Sequence, residues 1–171
     1  MNLYKKSRFC SFCGAKCQQT DQYAECTGCH KKHYYNPKPC VAVLLNYKGK
    51  LVLVKRAEEP QKGAWDLPGG FVDLNESYEE AIRRECQEEL GATPTNLQYQ
   101  TSVTDSYDFQ GLQYPLVTAF YTAELDDQAT LKPADDVASF ELFDRQDVPT
   151  QGCAFPSIVV FLTYMHIPVH N

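Results

Sequence analysis

The sequence holds no long hydrophobic run. Its longest, Cys40 to Leu45, is far short of the roughly 20 apolar residues that a bilayer-spanning helix needs. Nor does Met1-Asn2-Leu3-Tyr4-Lys5-Lys6 lead into the apolar stretch of a secretory signal, so no membrane association is expected and the cytoplasm is the expected compartment. Basic residues are few, 16 Lys and Arg against 22 Asp and Glu, a formal charge of −6, which disfavours bulk nucleic-acid binding. Tryptophan is nearly absent, with Trp65 alone. Disorder is excluded by what is present, because 43% hydrophobic and 22% charged residues are proportions of a globular chain. A length of 171 residues suits one ordinary domain with room for a small satellite.

The charge is unevenly spread. Residues 1–38 carry +5, from Lys5, Lys6, Arg8, Lys16, Lys31, Lys32 and Lys38 against Asp21 and Glu25, and the remainder carries −11. Cysteine divides similarly: Cys10, Cys13, Cys17, Cys26 and Cys29 come early, and only Cys40, Cys86 and Cys153 follow.

Cys10-x-x-Cys13 and Cys26-x-x-Cys29 are two hooks of the kind that together present four thiolates to one tetrahedral ion. A disulfide pair is the alternative, disfavoured where thiols stay reduced. So short a segment buries too little apolar surface to fold unaided, and a closed four-sulfur zinc site is structural, not catalytic. Cys17, His30 and His33 are spare donors, with both histidines expected on the surface. The segment is assigned to residues 1–37, because Pro37 and Pro39 hold the chain extended and forbid a helix there.

Residues 38–171 read as a mixed sheet with helices on its faces. Strands are predicted at Cys40–Asn46, Leu51–Val54, Gln98–Thr104, Leu116–Glu124 and Ser139–Phe143, with a hairpin turn at Tyr47-Lys48-Gly49-Lys50. Helices are predicted near 77–90 and 156–166, the second placing Val159, Leu162 and Met165 on one face. Ser77-x-x-Glu80 is a capping box for the first, and Gly91 a stop. In that helix Glu85, Glu88 and Glu89 share one stripe near the C-terminal end, where like charges repel and the helix dipole disfavours anions. A solvated acidic face is the ordinary reading of such a stripe. A bound cation resolves both conflicts, and ligands that are all oxygen select Mg²⁺ first and Mn²⁺ second. Mg²⁺ bound by few carboxylates usually completes its shell with water and substrate phosphate.

Gly70, Glu76 and the run Arg84-Glu85-Cys86-Gln87-Glu88-Glu89-Leu90-Gly91-Ala92 resemble the Nudix box of the Nudix hydrolases, with Cys86 and Ala92 at positions usually aliphatic and Asn75 where many members have glycine. The resemblance implies an α/β/α sandwich preceded here by a zinc ribbon, and hydrolysis of a nucleoside diphosphate linked to another moiety. It implies Glu85, Glu88, Glu89 and the Gly69 carbonyl as metal ligands, with Arg84 orienting the carboxylates and Glu76 stabilising the loop. Asp136 falls where relatives add a later acid as metal ligand or base, and is thereby a further candidate Mg²⁺ ligand. Glu85, Glu89 and Asp136 are the candidate bases for the attacking water.

The ribbon followed by Asn36-Pro37-Lys38-Pro39, with Leu142-Phe143-Asp144 and Ala154-Phe155-Pro156-Ser157-Ile158, is similar to zinc-ribbon Nudix proteins acting on ADP-ribose and FAD. Related NADH pyrophosphatases carry a Ser-Gln-Pro-Trp-Pro-Phe-Pro type motif after the box, which this sequence lacks; NADH or an NAD cap is thus the alternative substrate, and a ligand-sensing module the alternative class. Arg56, Tyr107, Phe109 and Tyr114 are candidate substrate contacts, the aromatics as stacking surfaces. The expected partner is a nucleoside diphosphate, with nucleic acid excluded except as capped RNA, and a homodimer is the default oligomer.

Overall fold

A computed structural model describes residues 8–168. The chain divides into two compact units. One holds the N-terminal segment to Pro37 together with 106–115, and the other holds 38–105 and the chain from Leu116 onward. Residues 106–115 are the tip of a long hairpin.

In the N-terminal unit, strands β1 (Cys17–Gln19), β2 (Tyr23–Cys26) and β3 (Lys32–Tyr34) form an antiparallel sheet. The rest of the chain forms β4 (Lys38–Tyr47), β5 (Lys50–Arg56), β6 (Trp65–Asp66), β7 (Gly69–Phe71), α1 (Tyr78–Leu90), β8 (Thr95–Phe109), β9 (Leu112–Glu124), β10 (Val137–Phe143) and α2 (Pro156–Tyr164), with the facing ends of β8 and β9 in the N-terminal unit. Strand order is β10-β5-β4-β9-β8, with β6 added on β5 and β7 on β4. The sheet is mixed, since β4 runs parallel to β9 and antiparallel to β5 and β7. The expected hairpin turn forms, with Lys48 and Gly49 at φ 54° and 75°.

Period-two alternation in β4 feeds two cores. Val41, Val43, Leu45 and Tyr47 join one cluster with Ala81, Ile82, Cys86 and Leu90 of α1. Ala42 and Leu44 join the other with Ile158, Phe161 and Leu162 of α2. One helix therefore covers each face of the sheet, the α/β/α arrangement, and each fully buried Leu, Ile or Phe contributes roughly 1.5–3 kcal/mol. Phe120 stacks on Phe161 at 4.5 Å between ring centroids, tying β9 to α2.

The buried face of α2 is Ile158, Phe161 and Leu162, one residue round from the predicted Val159–Leu162–Met165 stripe, and the helix ends at Tyr164. No side chain of its own caps it; Asp105 on β8 accepts from the Ser157 N–H at 3.0 Å and does so instead. Among the described residues no helix is long and apolar enough to cross a membrane.

Candidate active site

The acidic stripe is built by α1 and the short strand before it. Both halves of the capping box form at Ser77 and Glu80, and Gly91 closes the helix at φ 69°. Asn75 sits at φ 65°, the left-handed geometry that asparagine tolerates best after glycine. Ahead of the helix, β7 pairs with β4, Ala42 opposite Gly69 and Val41 opposite Gly70. Both glycines are closely approached, Gly69 by backbone and Gly70 by the end of one side chain. A Cβ on Gly69 would fall 2.2 Å from the Val41 carbonyl oxygen, and one on Gly70 would fall 2.5 Å from Glu85 Oε1.

Arg84 is the hub of the stripe. Its guanidinium donates to both oxygens of Glu76 at 2.9 and 3.0 Å, to Glu85 at 2.8 Å, to Glu88 at 3.0 Å and to the Phe71 carbonyl at 2.9 Å. These charge-assisted bonds raise its already high proton affinity, the Glu76 bonds above all, and hold the Glu76 carboxyl below its usual range.

Glu89 is only 3% exposed and accepts one backbone bond, from the Gly69 N–H at 3.2 Å. Its affinity for a proton is pushed well up, by burial first and then by the charges of Asp136 and Glu85. Glu85 is raised as well, again mainly by burial, against the pull of Arg84. Glu88 is half exposed and turned towards Arg84. Buried carboxylates crowded with so few donors leave negative charge uncompensated, and an all-oxygen group of this kind fits a hard divalent cation.

Glu89 and Asp136 line a small cavity with Gly69, Arg56 and Asp66. Asp66 was missed in the sequence. It is placed there by β5–β6 pairing, opposite Val54, and burial lifts its carboxyl to about 6 although Arg56 opposes the shift. The guanidinium of Arg56 donates to Asp66 at 2.9 Å and to the Pro60 carbonyl at 2.8 Å, and lies over the Phe155 ring. Nothing in spacing along the chain marks Asp66, because its role depends on a strand pairing of two residues.

Tyr107, Phe109 and Tyr114 belong to the hairpin tip, in the other unit, where Tyr107 and Phe109 lie 6.0 Å apart, ring to ring. Tyr121 is buried in the α1-side core and donates to Glu79 at 2.9 Å.

In the N-terminal unit the thiol sulfurs of Cys10, Cys13, Cys26 and Cys29 all lie within 4.8 Å of one another. Cys10–Cys29 is 3.7 Å and Cys13–Cys26 is 3.4 Å. A tetrahedron with Zn–S bonds of 2.3 Å has edges of about 3.8 Å, so the cluster fits a zinc ion. Cys17 lies outside this group of four. The expected surface position holds for His30, whose side chain is 78% exposed. It does not hold for His33, which is half-buried with Nε2 3.3 Å from Cys10 Sγ.

The NUDIX domain model matches residues 36–160. An ADP-ribose pyrophosphatase of Methanocaldococcus jannaschii is 33% identical over 116 residues, covering 68% of this chain and 67% of that protein. An NAD-capped RNA hydrolase, NudC, of Salmonella heidelberg is 27% identical over 151 residues, 86% of this chain; the match spans little more than half, 55%, of that protein. Among solved structures, a NUDIX hydrolase from Nitrosomonas europaea superimposes with a TM-score of 0.70 at 27% identity, covering 96% of both chains. The chain belongs to the NUDIX family, and its fold and box place it in the class of Nudix pyrophosphohydrolases.

Proposed function

We propose that the protein hydrolyses the pyrophosphate linkage of a nucleoside diphosphate joined to another moiety, ADP-ribose or FAD, with Mg²⁺ or Mn²⁺ at the carboxylate cluster and zinc in the ribbon. The observation that carries this reading is Glu89, buried at 3% exposure with a single N–H partner and further carboxylates beside it. Such a group is stabilised when a cation occupies the site. A divalent ion bound there supplies charge neutralisation on phosphoryl oxygens and acidifies the attacking water.

The chain's own residues have separable roles in this proposal. Glu85 and Glu89, with Glu88 and the Gly69 carbonyl assisting, hold the ion. Arg84 fixes Glu85 and Glu88 by paired bonds, and Glu76 fixes Arg84. Asp136, in the same cavity as Glu89, joins Glu85 and Glu89 as a candidate acceptor of the water's proton. Arg56, held by Asp66 and Pro60, directs positive charge towards the diphosphate. The substrate follows from the ADP-ribose pyrophosphatase likeness and from the ribbon that precedes the domain.

A specific observation favours capped RNA as a second substrate. On the ribbon, Phe9, Phe12 and Tyr34 are 58%, 70% and 61% exposed, and Lys31 and Lys32 lie over the rings of Phe12 and Tyr23. Exposed rings beside lysines suit stacked bases and a phosphate backbone. This property matches the NudC likeness, which covers 86% of this chain and so reaches into the ribbon.

The test is release of AMP from ADP-ribose, FAD and NADH, and of nicotinamide mononucleotide from NAD-capped RNA, with Mg²⁺ and with Mn²⁺. Turnover of ADP-ribose or FAD should fall at least ~10²-fold in Glu89→Gln. Tight binding of every nucleotide with no product would refute the enzyme and favour a sensor. Hydrolysis only of capped RNA, lost steeply with salt, would move the substrate to the second reading.

A further inference from the structure

The zinc reading of the ribbon leaves one imidazole without a task. His33 lies at the centre of β3, between the exposed Lys32 and Tyr34. Its cross-strand partner is Ala24, buried at 0% exposure, two residues before the equally buried Cys26. Side chains alternate along a strand, so β3 turns His33 to the same face as the cysteines.

The sulfurs that open the two hooks are both held by backbone N–H groups, and Cys10 has an imidazole beside it as well. Cys26 Sγ accepts from the Gly28 and Cys29 N–H groups, both at 3.3 Å. Cys10 Sγ accepts from Phe12 N–H at 3.4 Å, and His33 Nε2 stands 3.3 Å from the same sulfur. A metal-bound thiolate can only accept, which places the hydrogen on Nε2. His33 has no vertex of its own, because four sulfurs at tetrahedral spacing complete the site. The Phe12 ring, 6.0 Å from the imidazole and tilted by 38°, flanks it.

We propose that His33 is an outer-sphere positioning residue of the ribbon's metal site, its Nε2–H bonded to the Cys10 thiolate, and that this bond slows the loss of zinc. The donor adds a side-chain bond to the backbone N–H bonds that Cys10 already accepts. It spreads the charge of four thiolates around one divalent ion and fixes the Cys10 rotamer before the metal arrives. Outer-sphere partners of this kind typically change metal affinity about 10- to 100-fold. The inference rests on the reading that the four cysteines hold zinc.

The experiment uses the full chain loaded with zinc, as wild type, His33→Ala and His33→Gln. Zinc transfer to excess chromophoric chelator is timed, and the absorption spectrum of each Co²⁺-substituted protein is recorded. His33→Ala should retain one zinc per chain and release it about 10- to 100-fold faster. His33→Gln, which keeps an N–H donor, should recover much of the difference. All three Co²⁺ spectra should show the same four-sulfur environment. Equal release rates in wild type and His33→Ala would overturn the proposal. So would a wild-type Co²⁺ spectrum of three sulfurs and one nitrogen, which would make His33 a ligand. A wild-type chain that binds no zinc would refute the metal reading itself, a result distinguishable because release could then be measured in no variant.

Discussion

Replacing Gly70 by alanine tests whether Glu85 belongs to the reacting centre. The new Cβ would stand 2.5 Å from Glu85 Oε1, 2.8 Å from its Cδ and 3.1 Å from Oε2. Ordinary contact begins near 3.4 Å, so the carboxylate must withdraw by about 0.9 Å. Every close atom is the far end of one side chain, which can move. Stability should therefore change by less than ~1 kcal/mol, with some gain from the stiffer unfolded chain. Displacing a reacting group by about 1 Å can cost ~10²-fold, and the loss should appear in kcat and in affinity for Mg²⁺. Gly69→Ala is the contrast. It meets backbone, 2.2 Å from the Val41 oxygen and 2.8 Å from Ala42 Cα, at φ +146°; neither can yield, and about 3 kcal/mol or more should be lost. Urea midpoints, Mg²⁺ titration and initial rates on ADP-ribose measured for both variants separate the effects. Wild-type turnover in a stably folded Gly70→Ala would show that Glu85 is not at the centre. Equal destabilisation in both variants would refute the claim that Glu85 can move aside.

Burial lifts Asp66 from 3.8 to about 6, so the folded state holds its proton more tightly than the unfolded state between those values. That contribution is present in full only below about pH 3.8 and is lost as pH rises through about 6, a swing of about 3 kcal/mol at ~1.4 kcal/mol per unit. The metal-free protein should unfold at higher urea at pH 5 than at pH 7.5; Asp66→Asn should reduce the difference and leave the part due to Glu85 and Glu89, and an unchanged slope would refute the assignment. Glu76 and Glu80 are shifted down, so their stabilisation is lost only below about pH 4.5. Asp105→Ala removes the bond to the Ser157 N–H and should cost ~1 kcal/mol, read as a lower Tm with kcat unchanged. Chelation of zinc should abolish protease resistance in residues 8–37 while near-ultraviolet dichroism from Trp65, in the larger unit, persists; loss of both signals together would mean that the units do not unfold separately.

Much of the architecture was legible because it is written in local periods. The apolar run that forms β4 and the α1 capping box involve neighbours in sequence, and both form where they are expected. The stop at Gly91 and the turn at Lys48-Gly49 depend on backbone geometry that a few residue types tolerate. The face of α2 was displaced by one residue because Ile158, Val159 and Val160 are all apolar, and composition alone cannot say which of them meets Phe120. Here the ring stacking on Phe161 decides.

The site divides along the same line. Glu85, Glu88 and Glu89 stood out because helical spacing makes their repulsion visible in sequence, and the bonds of Arg84 account for two of them. Asp66, and the place of His33 against Cys10, went unread for one physical reason. Each is brought to its partners by strand pairing, Val54 with Asp66 and Ala24 with His33, and pairing register is a property of two segments at once. Reading β3 as a strand would have sufficed for His33, because alternation between exposed Lys32 and Tyr34 leaves its side chain only the cysteine face.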